Sequence, residues 1–526
     1  MIPAVVPIMV PLVGTALVML PYLKNPHWVA FLCASCSFAI LCTYIPATAN
    51  PLTYNVLVWM NPLEFSIFID RLSLLIALLI SFLFSIVSVY SFHIKSRKYH
   101  SLVLLDLSVV LLSVLSQSRL GFYICLEMST VITYFLVIHR NTQESIRAGF
   151  IYIIMNLIGA ALILLGILLD VELPPTASTL FIAGCLVKAG FVPAHIWITR
   201  AHPVAPSPIS ALLSGVMVKV GIYGIIRFSP SLNADLSLLM PIALVSMLLG
   251  VFSALMQSDI KKILAYHTVS QIGFILLGVS LMSYGGGMGG LLHLVNHALF
   301  KGLLFLCAGA IIYSTETRDL HDLGGLAKHM PVTAAACLVG SLAISGIPPF
   351  NGYVSKCILS EASPAGYITI IFSITCAGTL ASFIKLFRHI FMGPPGKNLP
   401  RRKIPLSMKI PLIIVSCLCL FTGIFSGDIL SFVGYQPDIH VWSISHLPQI
   451  LLNVGMGIAL YVGGMKSGIL LNPPQIQVSI DRIYHESGRV VEYVSKKFHD
   501  TLVQDINYYT LSIILVLIAI YILYGI

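Results

Sequence analysis

The chain has 526 residues, of which 57% are hydrophobic and only 10% charged, with a formal net charge of +10. Soluble domains carry about 25% charged residues, so these values exclude a water-facing surface of ordinary size. The positive balance would point to nucleic acid on a soluble protein; here it is assigned to basic loops on one side of a membrane, and no nucleic-acid partner is expected.

A helix crossing a hydrocarbon core of about 30 Å needs roughly 20 mostly apolar residues. Along the chain such runs fall at 4–22, 28–49, 69–91, 101–117, 120–138, 147–169, 178–198, 208–228, 236–256, 263–283, 289–313, 332–360, 366–390, 410–432, 448–472 and 507–525. Backbone groups cannot stay unpaired in lipid, so each run is expected to be helical. The fold class is an all-α polytopic membrane protein with about 16 transmembrane helices. No basic stretch precedes the first run, which is read as a span and not a cleaved signal.

With the N-terminus outside and every run crossing, 22 of the 30 Lys and Arg fall in inside segments, including Lys261 and Lys262. Only Arg71, Arg119 and Arg227 fall outside. This asymmetry matches the positive-inside rule and places both termini outside and the basic loop 391–409 in the cytoplasm. Five basic residues are left within the bilayer, Lys188, Lys219, Lys301, Lys356 and Lys385, and all five are lysines. Lys can lose its proton when buried and Arg in practice cannot, so the set implies proton handling. A charge at mid-bilayer costs roughly 2.5–3.5 kcal/mol on insertion scales, which marks each lysine as a functional candidate.

Lys188 and Lys356 are 168 residues apart, and Lys219 and Lys385 are 166 apart. The runs holding the first pair carry Pro193 in KAGFVPAHIW and Pro348 and Pro349 in SGIPPFNGYVSK, and they lie five spans apart. Interrupted helices at matching places in two oppositely oriented halves mark a transport site near the midplane. The match is imperfect, since Pro follows Lys in the first half and precedes it in the second.

Glu127 is the only acid in its run, GFYICLEMSTVITYFLV, and an isolated carboxylate there must be paired or protonated. In HLVNHALFKG, His293, His297 and Lys301 share a helix face at i, i+4 and i+8 beside Asn296. Two His at that spacing can ligate zinc, but no acid or Cys accompanies them, and a stripe that orders water for proton hopping is the preferred reading. His267, with Tyr266, Ser270 and Gln271 near it, is a candidate bridge between the two halves. His195 and His202 flank a Pro-rich break and are read as caps for helix ends freed by Pro193, Pro203 and Pro206. The 11 cysteines scatter through apolar runs, with Cys33/Cys36 as an isolated pair, and are read as small buried hydrophobes. No metal site and no cofactor are expected in this chain, and no nucleotide, nucleophile or cluster motif indicates chemistry of its own.

The strings LVKAGFVPAHIWITRAHPVAPSPISALLSGVMVKVGIYG, DIKKILAYHTVSQIGF, HLVNHALFKGLLF and SGIPPFNGYVSK, within roughly residues 60–390, resemble the antiporter-like family. That family contains Mrp-type sodium/proton antiporter large subunits, complex I proton-pumping membrane subunits, and relatives in archaeal membrane-bound hydrogenases and sulfane reductases. The resemblance implies a 14-helix core with two inverted five-helix repeats. It makes Glu127 and Lys188 an input pair, Lys219 and His267 a connecting relay, His293 and His297 a central relay, and Lys356 the output lysine. Where relatives have Leu-Pro after the Trp of the interrupted helix, this chain has Ile198 and Thr199. Some relatives carry Glu at the position of Lys356.

The expected organisation is N-terminal helices over 1–100, a first repeat over 101–230, a second over 231–391, and C-terminal helices over 392–472. Residues 473–526 are expected to hold an amphipathic interfacial helix and a last span. The charged stretch 476–504 carries apolar residues at helical spacing, and its 29 or so residues give only about 44 Å of helix, enough to brace one neighbouring subunit. The implied role is a proton- or sodium-translocating subunit of a redox-driven complex of hydrogenase, sulfane reductase or complex I type in the cell membrane. Its partners would be other membrane subunits, further antiporter-like ones among them. A subunit of a free-standing Mrp-type antiporter and a non-transporting scaffold for a peripheral redox enzyme are the alternatives; a scaffold has no need of five intramembrane lysines.

Overall fold

A computed structural model describes residues 3–58, 64–171, 173–282, 285–394, 396, 401–434 and 441–470. The interfacial helix expected at 476–504 and the run at 507–525 lie outside the described residues. In chain order the helices are α1 (Val6–Met19), α2 (Pro26–Cys42), α3 (Arg71–Tyr90), α4 (Arg97–Leu115), α5 (Arg119–Val137), α6 (Gln143–Leu168) and α7 (Pro174–Ala189). There follow α8 (Ile196–Val204), α9 (Ser207–Leu212), α10 (Val218–Phe228), α11 (Leu239–Leu255), α12 (Ile260–Ser280) and α13 (Gly286–Thr315). The last are α14 (Pro331–Ser345), α15 (Asn351–Ala362), α16 (Tyr367–Phe391), α17 (Leu406–Ile424), α18 (Ser426–Phe432) and α19 (Leu447–Lys466).

The other fifteen apolar runs all fall on these helices. Among the described residues, eleven helical segments are long and apolar enough to cross a membrane, and α1, α2 and α14 are shorter apolar helices. The expected count of sixteen treated interrupted runs as single helices. The run at 178–198 is α7 and the start of α8, 332–360 is α14 and α15, and 410–432 is α17 and α18.

Helix starts follow local chemistry. Asp70 caps α3 by accepting from the Ser73 backbone N–H at 2.8 Å, while the Asp70 N–H donates to Ser73 Oγ at 3.0 Å. Thr142 and Ser145 form the same reciprocal box at α6. One element was not anticipated. Leu52–Val58 (β1) and Glu64–Ile69 (β2) form an antiparallel hairpin, which is tied to the end of α4 by the Gln117 N–H donating to the Ser66 carbonyl at 3.0 Å. LTYNVLV and EFSIFI are rich in β-branched and aromatic residues, which is the strand signal.

The bundle has a distinct interior. α12 and α13 are 94% buried over their most apolar windows, whereas α6 and α17 are 39% buried and α19 only 11%. Lipid tails are as apolar as Leu, so helices associate through close packing of small residues and not through expulsion of water. At the α6–α7 contact a Cβ on Gly159 would stand 3.0 Å from the Gly184 carbonyl oxygen, so the two backbones meet directly.

Ion pairs sort the helix ends. Arg119–Asp170 (2.5 Å) and Arg227–Asp70 (2.6 Å) join residues assigned to one side. Arg318–Asp259 (2.6 Å), Arg318–Glu144 (3.3 Å), Arg401–Glu316 (2.9 Å) and Arg402–Glu316 (3.0 Å) join residues assigned to the other. None of these pairs mixes the two sets, which agrees with the alternation of the spans.

Candidate functional site

Two helix breaks frame the interior. α7 ends at Gly190 (φ 75°), and α14 ends at Gly346 (φ 76°). Both glycines hold the left-handed conformation that closes a helix and that other residues adopt only with strain. The peptide bonds Val192–Pro193 and Pro348–Pro349 are both cis. Gly190 and Gly346 are 156 positions apart, as are Pro193 and Pro349. The backbone spacing of the breaks is therefore 156, not the 168 or 166 read from the lysines. On this spacing Lys188 corresponds to Ile344, not to Lys356. Lys356 nonetheless stretches back across the break to the matching position, donating to the Ile344 carbonyl at 2.7 Å. Lys188 approaches from the helix before its break, and Lys356 from the helix after.

At the first break Lys188 Nζ stands 2.6 Å from Glu127 Oε1 and donates to Thr130 Oγ1 at 2.8 Å. The Lys188 side chain is 3% exposed and that of Glu127 19%. A second acid lies behind this pair that the sequence reading missed. Asp106 of α4 is buried and accepts from Ser129 Oγ at 2.7 Å and Thr133 Oγ1 at 3.3 Å, both on the helix of Glu127. Asp106→Ala would leave these two hydroxyls without their acceptor, at about 1–3 kcal/mol for a buried polar group. The expected outcome is a lower thermal midpoint for the detergent-solubilised protein, with Asp106→Asn milder because its amide oxygen still accepts; equal midpoints for wild type and Asp106→Ala would refute the tether.

Past the first break, the turn Leu213–Met217 is a π-helix, a form concentrated at functional sites. It places the Lys219 amine on the Ser214 carbonyl five residues back. Ser214 Oγ shares a hydrogen bond with Thr268 Oγ1 of α12 at 2.9 Å. Thr268 Oγ1 in turn donates to the Leu264 carbonyl at 3.1 Å, and Lys301 of α13 donates to the same carbonyl at 2.5 Å. Lys219 and Lys301 are thus joined through Ser214, Thr268 and one carbonyl. His267 is the candidate bridge between the two halves named from the sequence. It is buried beside Thr268, its ring 4.8 Å from that of Phe383, and neither ring nitrogen has a protein hydrogen-bond partner. His202 differs from the expected cap, because it stacks on Phe305 at 4.5 Å and its nitrogens have no protein partner. His195 bonds the Pro193 carbonyl at 3.1 Å, as a capping histidine would.

On α13, His293 Nδ1 is 2.9 Å from Ser355 Oγ and Nε2 is 3.1 Å from Gln271 Oε1. With the amide oxygen accepting, Nε2 carries the proton and Nδ1 of the neutral ring accepts from the Ser355 hydroxyl. Both nitrogens of His293 are thereby engaged by protein groups. The His297 ring lies parallel to it at 6.3 Å, with both nitrogens buried and without a protein partner. Ser355 neighbours Lys356, whose amine sits over the Phe274 ring at 4.8 Å. Lys385 closes the series, donating to the Leu255 and Gln257 carbonyls at 2.9 Å each.

One position contradicts its assignment. Lys261 was counted as a loop residue with Lys262, yet it is 1% exposed and donates to the Ala205 carbonyl at 2.7 Å. The two are adjacent on α12 and project about 100° apart, so one turns into the bundle.

The sequence matches the family described as NADH:quinone oxidoreductase/Mrp antiporter, TM over residues 116–171 and 175–384. It is 36% identical over 428 residues to Hydrogenase-4 component B of Escherichia coli K12, covering 69% of this chain and 63% of that relative's length. To the putative antiporter subunit mnhD2 of Staphylococcus aureus strain Mu3 it is 29% identical over 439 residues, covering 77% and 88%. In structure it is similar to a chain of the membrane-bound sulfane sulfur reductase, an archaeal respiratory membrane complex, with TM-score 0.80, 22% identity and coverage of 98% and 99%. It is also similar to a chain of the Mrp complex from Dietzia sp. DQ12-45-1b, with TM-score 0.75, 24% identity and coverage of 87% and 97%.

Proposed function

The chain belongs to the NADH:quinone oxidoreductase/Mrp antiporter membrane family, and from that premise we propose that it is a proton- or cation-translocating, antiporter-like subunit of a multi-subunit membrane complex. The observation that carries the reading is the Glu127–Lys188 pair at one helix break, facing a chain of buried Lys, His and hydroxyl groups that ends on Lys356 at the other. A buried ion pair is held by its partner's charge, and either group left alone is driven toward its neutral form. When Glu127 and Lys188 separate, Lys188 releases a proton toward Lys219, and its passage on to Lys301 runs through water beside the Ser214–Thr268 contact, since both amines donate to backbone carbonyls there.

The middle of the path is built to pass protons without losing hydrogen bonds. When His293 takes a proton at Nδ1 it donates to Ser355, whose hydroxyl turns to the Gly352 carbonyl 3.3 Å away. Ser355 is thus a two-position switch beside Lys356. His267 and His297, whose nitrogens no protein group satisfies, are the places where water completes the relay, since buried polar groups are otherwise costly. None of these steps uses a cofactor held by this chain.

Transport into sealed inverted vesicles bearing the assembled complex tests the reading. Wild type should generate or exchange an ion gradient, and Lys188→Met should abolish this while leaving assembly intact. Unchanged transport by Lys188→Met would refute it. The match to Hydrogenase-4 component B favours a redox-driven complex of hydrogenase or sulfane reductase type. The longer coverage of the putative antiporter subunit favours an Mrp-type assembly as the second reading. Ion exchange by vesicles without any electron donor distinguishes the second from the first.

The basic loop around Arg401, Arg402 and Lys403 is assigned to the cytoplasm of the cell membrane, and both termini to the outside. A cysteine at Lys403→Cys should react with an impermeant thiol reagent only in inverted vesicles, scored against the unsubstituted chain. Labelling in intact cells would reverse the topology.

A further inference from the structure

Lys356 borders a cavity of about 200 Å³ that is also lined by Cys357, Glu361 and His446. These three side chains present one thiol, one carboxylate and one imidazole whose ligand atoms all lie within 4.8 Å of one another. Cys357 and Glu361 are at i and i+4 on α15 and so share a face, and His446 comes from the turn Ile444–His446 before α19. His446 Nε2 already stands 3.1 Å from Glu361 Oε1. Cys357 is buried, while the His446 side chain is 18% exposed and that of Glu361 35%, so the cluster opens outward from a closed floor.

We propose that Cys357, Glu361 and His446 form a binding site for a borderline-soft divalent transition metal, with Zn²⁺ the matching ion, at the mouth of the Lys356 cavity. The donor set is that of an open zinc site: one sulfur, one nitrogen and one oxygen, with the fourth position facing the cavity. Metal–ligand lengths of about 2.0–2.3 Å give ligand–ligand edges of roughly 3.3–3.7 Å in a tetrahedron. The observed spread therefore needs a closure of about 1 Å, within reach of side-chain rotation. Harder ions such as Mg²⁺ and Ca²⁺ prefer all-oxygen sites and are not favoured by a thiol and an imidazole. Binding deprotonates the Cys357 thiol, whose proton leaves to solvent, and forms metal–sulfur, metal–nitrogen and metal–oxygen bonds with no change of oxidation state.

The consequence for transport rests on the function proposed above. An ion held here stands between Lys356 and the end of the bundle that carries Arg71, Arg119 and Arg227, and so plugs that end of the path. Binding itself does not depend on that reading.

The test uses the purified full-length chain and Zn²⁺ alone, in competition with a chromophoric chelator. Wild type should take up one ion more than Cys357→Ser, and affinity should fall at least tenfold in Cys357→Ser and His446→Asn. Unchanged elution and thermal midpoints show that the variants are folded; His446 lies in a surface turn and keeps the test open if Cys357→Ser does not fold. Co²⁺ in place of Zn²⁺ should give a thiolate-to-cobalt charge-transfer band that Cys357→Ser lacks. Equal uptake by wild type and both variants would overturn the site. Loss in Cys357→Ser alone would also overturn it, because His446 would then not be a ligand. Inhibition of transport by Zn²⁺ in wild type but not in His446→Asn supports the plug; retained binding without inhibition would overturn the plug and leave the site standing.

Discussion

Lys188→Arg is expected to lose ion-coupled transport as completely as Lys188→Met, by at least about tenfold, or ~1.4 kcal/mol on the limiting barrier. Arg keeps the positive charge opposite Glu127, so a pair that serves only as a tether between α5 and α7 would survive the change. A relay would not, because the guanidinium does not give up its proton in a protein. The geometry sharpens the distinction. Lys188 Nζ is shared between Glu127 at 2.6 Å and Thr130 at 2.8 Å, which leaves the third amine proton free to point along the path. In Lys188→Met the carboxyl of Glu127 loses its partner and should become protonated, which avoids most of the several kcal/mol that an unpaired buried charge would cost. Assembly should therefore hold in both variants. Near-normal transport by Lys188→Arg at wild-type expression would assign the pair a structural role and remove the first step of the proposed path.

Gly352→Ala should disable the other end through backbone geometry and not through charge. A Cβ at Gly352 would overlap the Ala343 carbonyl oxygen and would lie 2.9 Å from its carbon. That carbonyl cannot easily yield, since it accepts the Gly346 N–H at 3.1 Å in closing α14. α15 must shift instead, carrying Ser355 away from His293 and Lys356 away from Ile344. Overpacking of this kind costs typically about 1–3 kcal/mol. The expected outcome is a thermal midpoint lowered by several degrees, with transport reduced at least about tenfold because each relay distance changes together. Gly463→Ala, on α19 with nothing within 4 Å of the added carbon, is the matched control and should behave as wild type. Wild-type transport by Gly352→Ala would show that α15 tolerates displacement and that the Ser355–His293 contact is dispensable.

The Lys261/Lys262 pair shows where reading the chain stops. Both are cations at the start of α12, and only the direction in which α12 faces its neighbours buries the first and leaves the second partly exposed. α12 is almost wholly enclosed, so it carries no amphipathic stripe from which a facing could be read. Asp106 is legible as the only acid in its apolar run, but the same reason hid its Ser129 and Thr133 partners on α5. It also hid the Ser214–Thr268 contact, made by two residues 54 positions apart whose polarity is unremarkable in helices.

By itself, the amino-acid sequence determined the class of protein, the helical runs, the two breaks and the identity of most of the buried ionisable residues. Lipid forces this legibility, because backbone groups must be satisfied within each segment and every intramembrane charge is conspicuous against its surroundings. Only the tertiary structure decided how those residues connect. It set the true spacing of the breaks at 156, brought the Lys356 amine onto the Ile344 carbonyl, and added the Ser214–Thr268 contact beside His267. It also joined Cys357 and Glu361 to His446 from a turn 85 positions further on. Side-chain reach and helix facing are properties of packing, and no periodicity along a helix that is apolar on all sides records them.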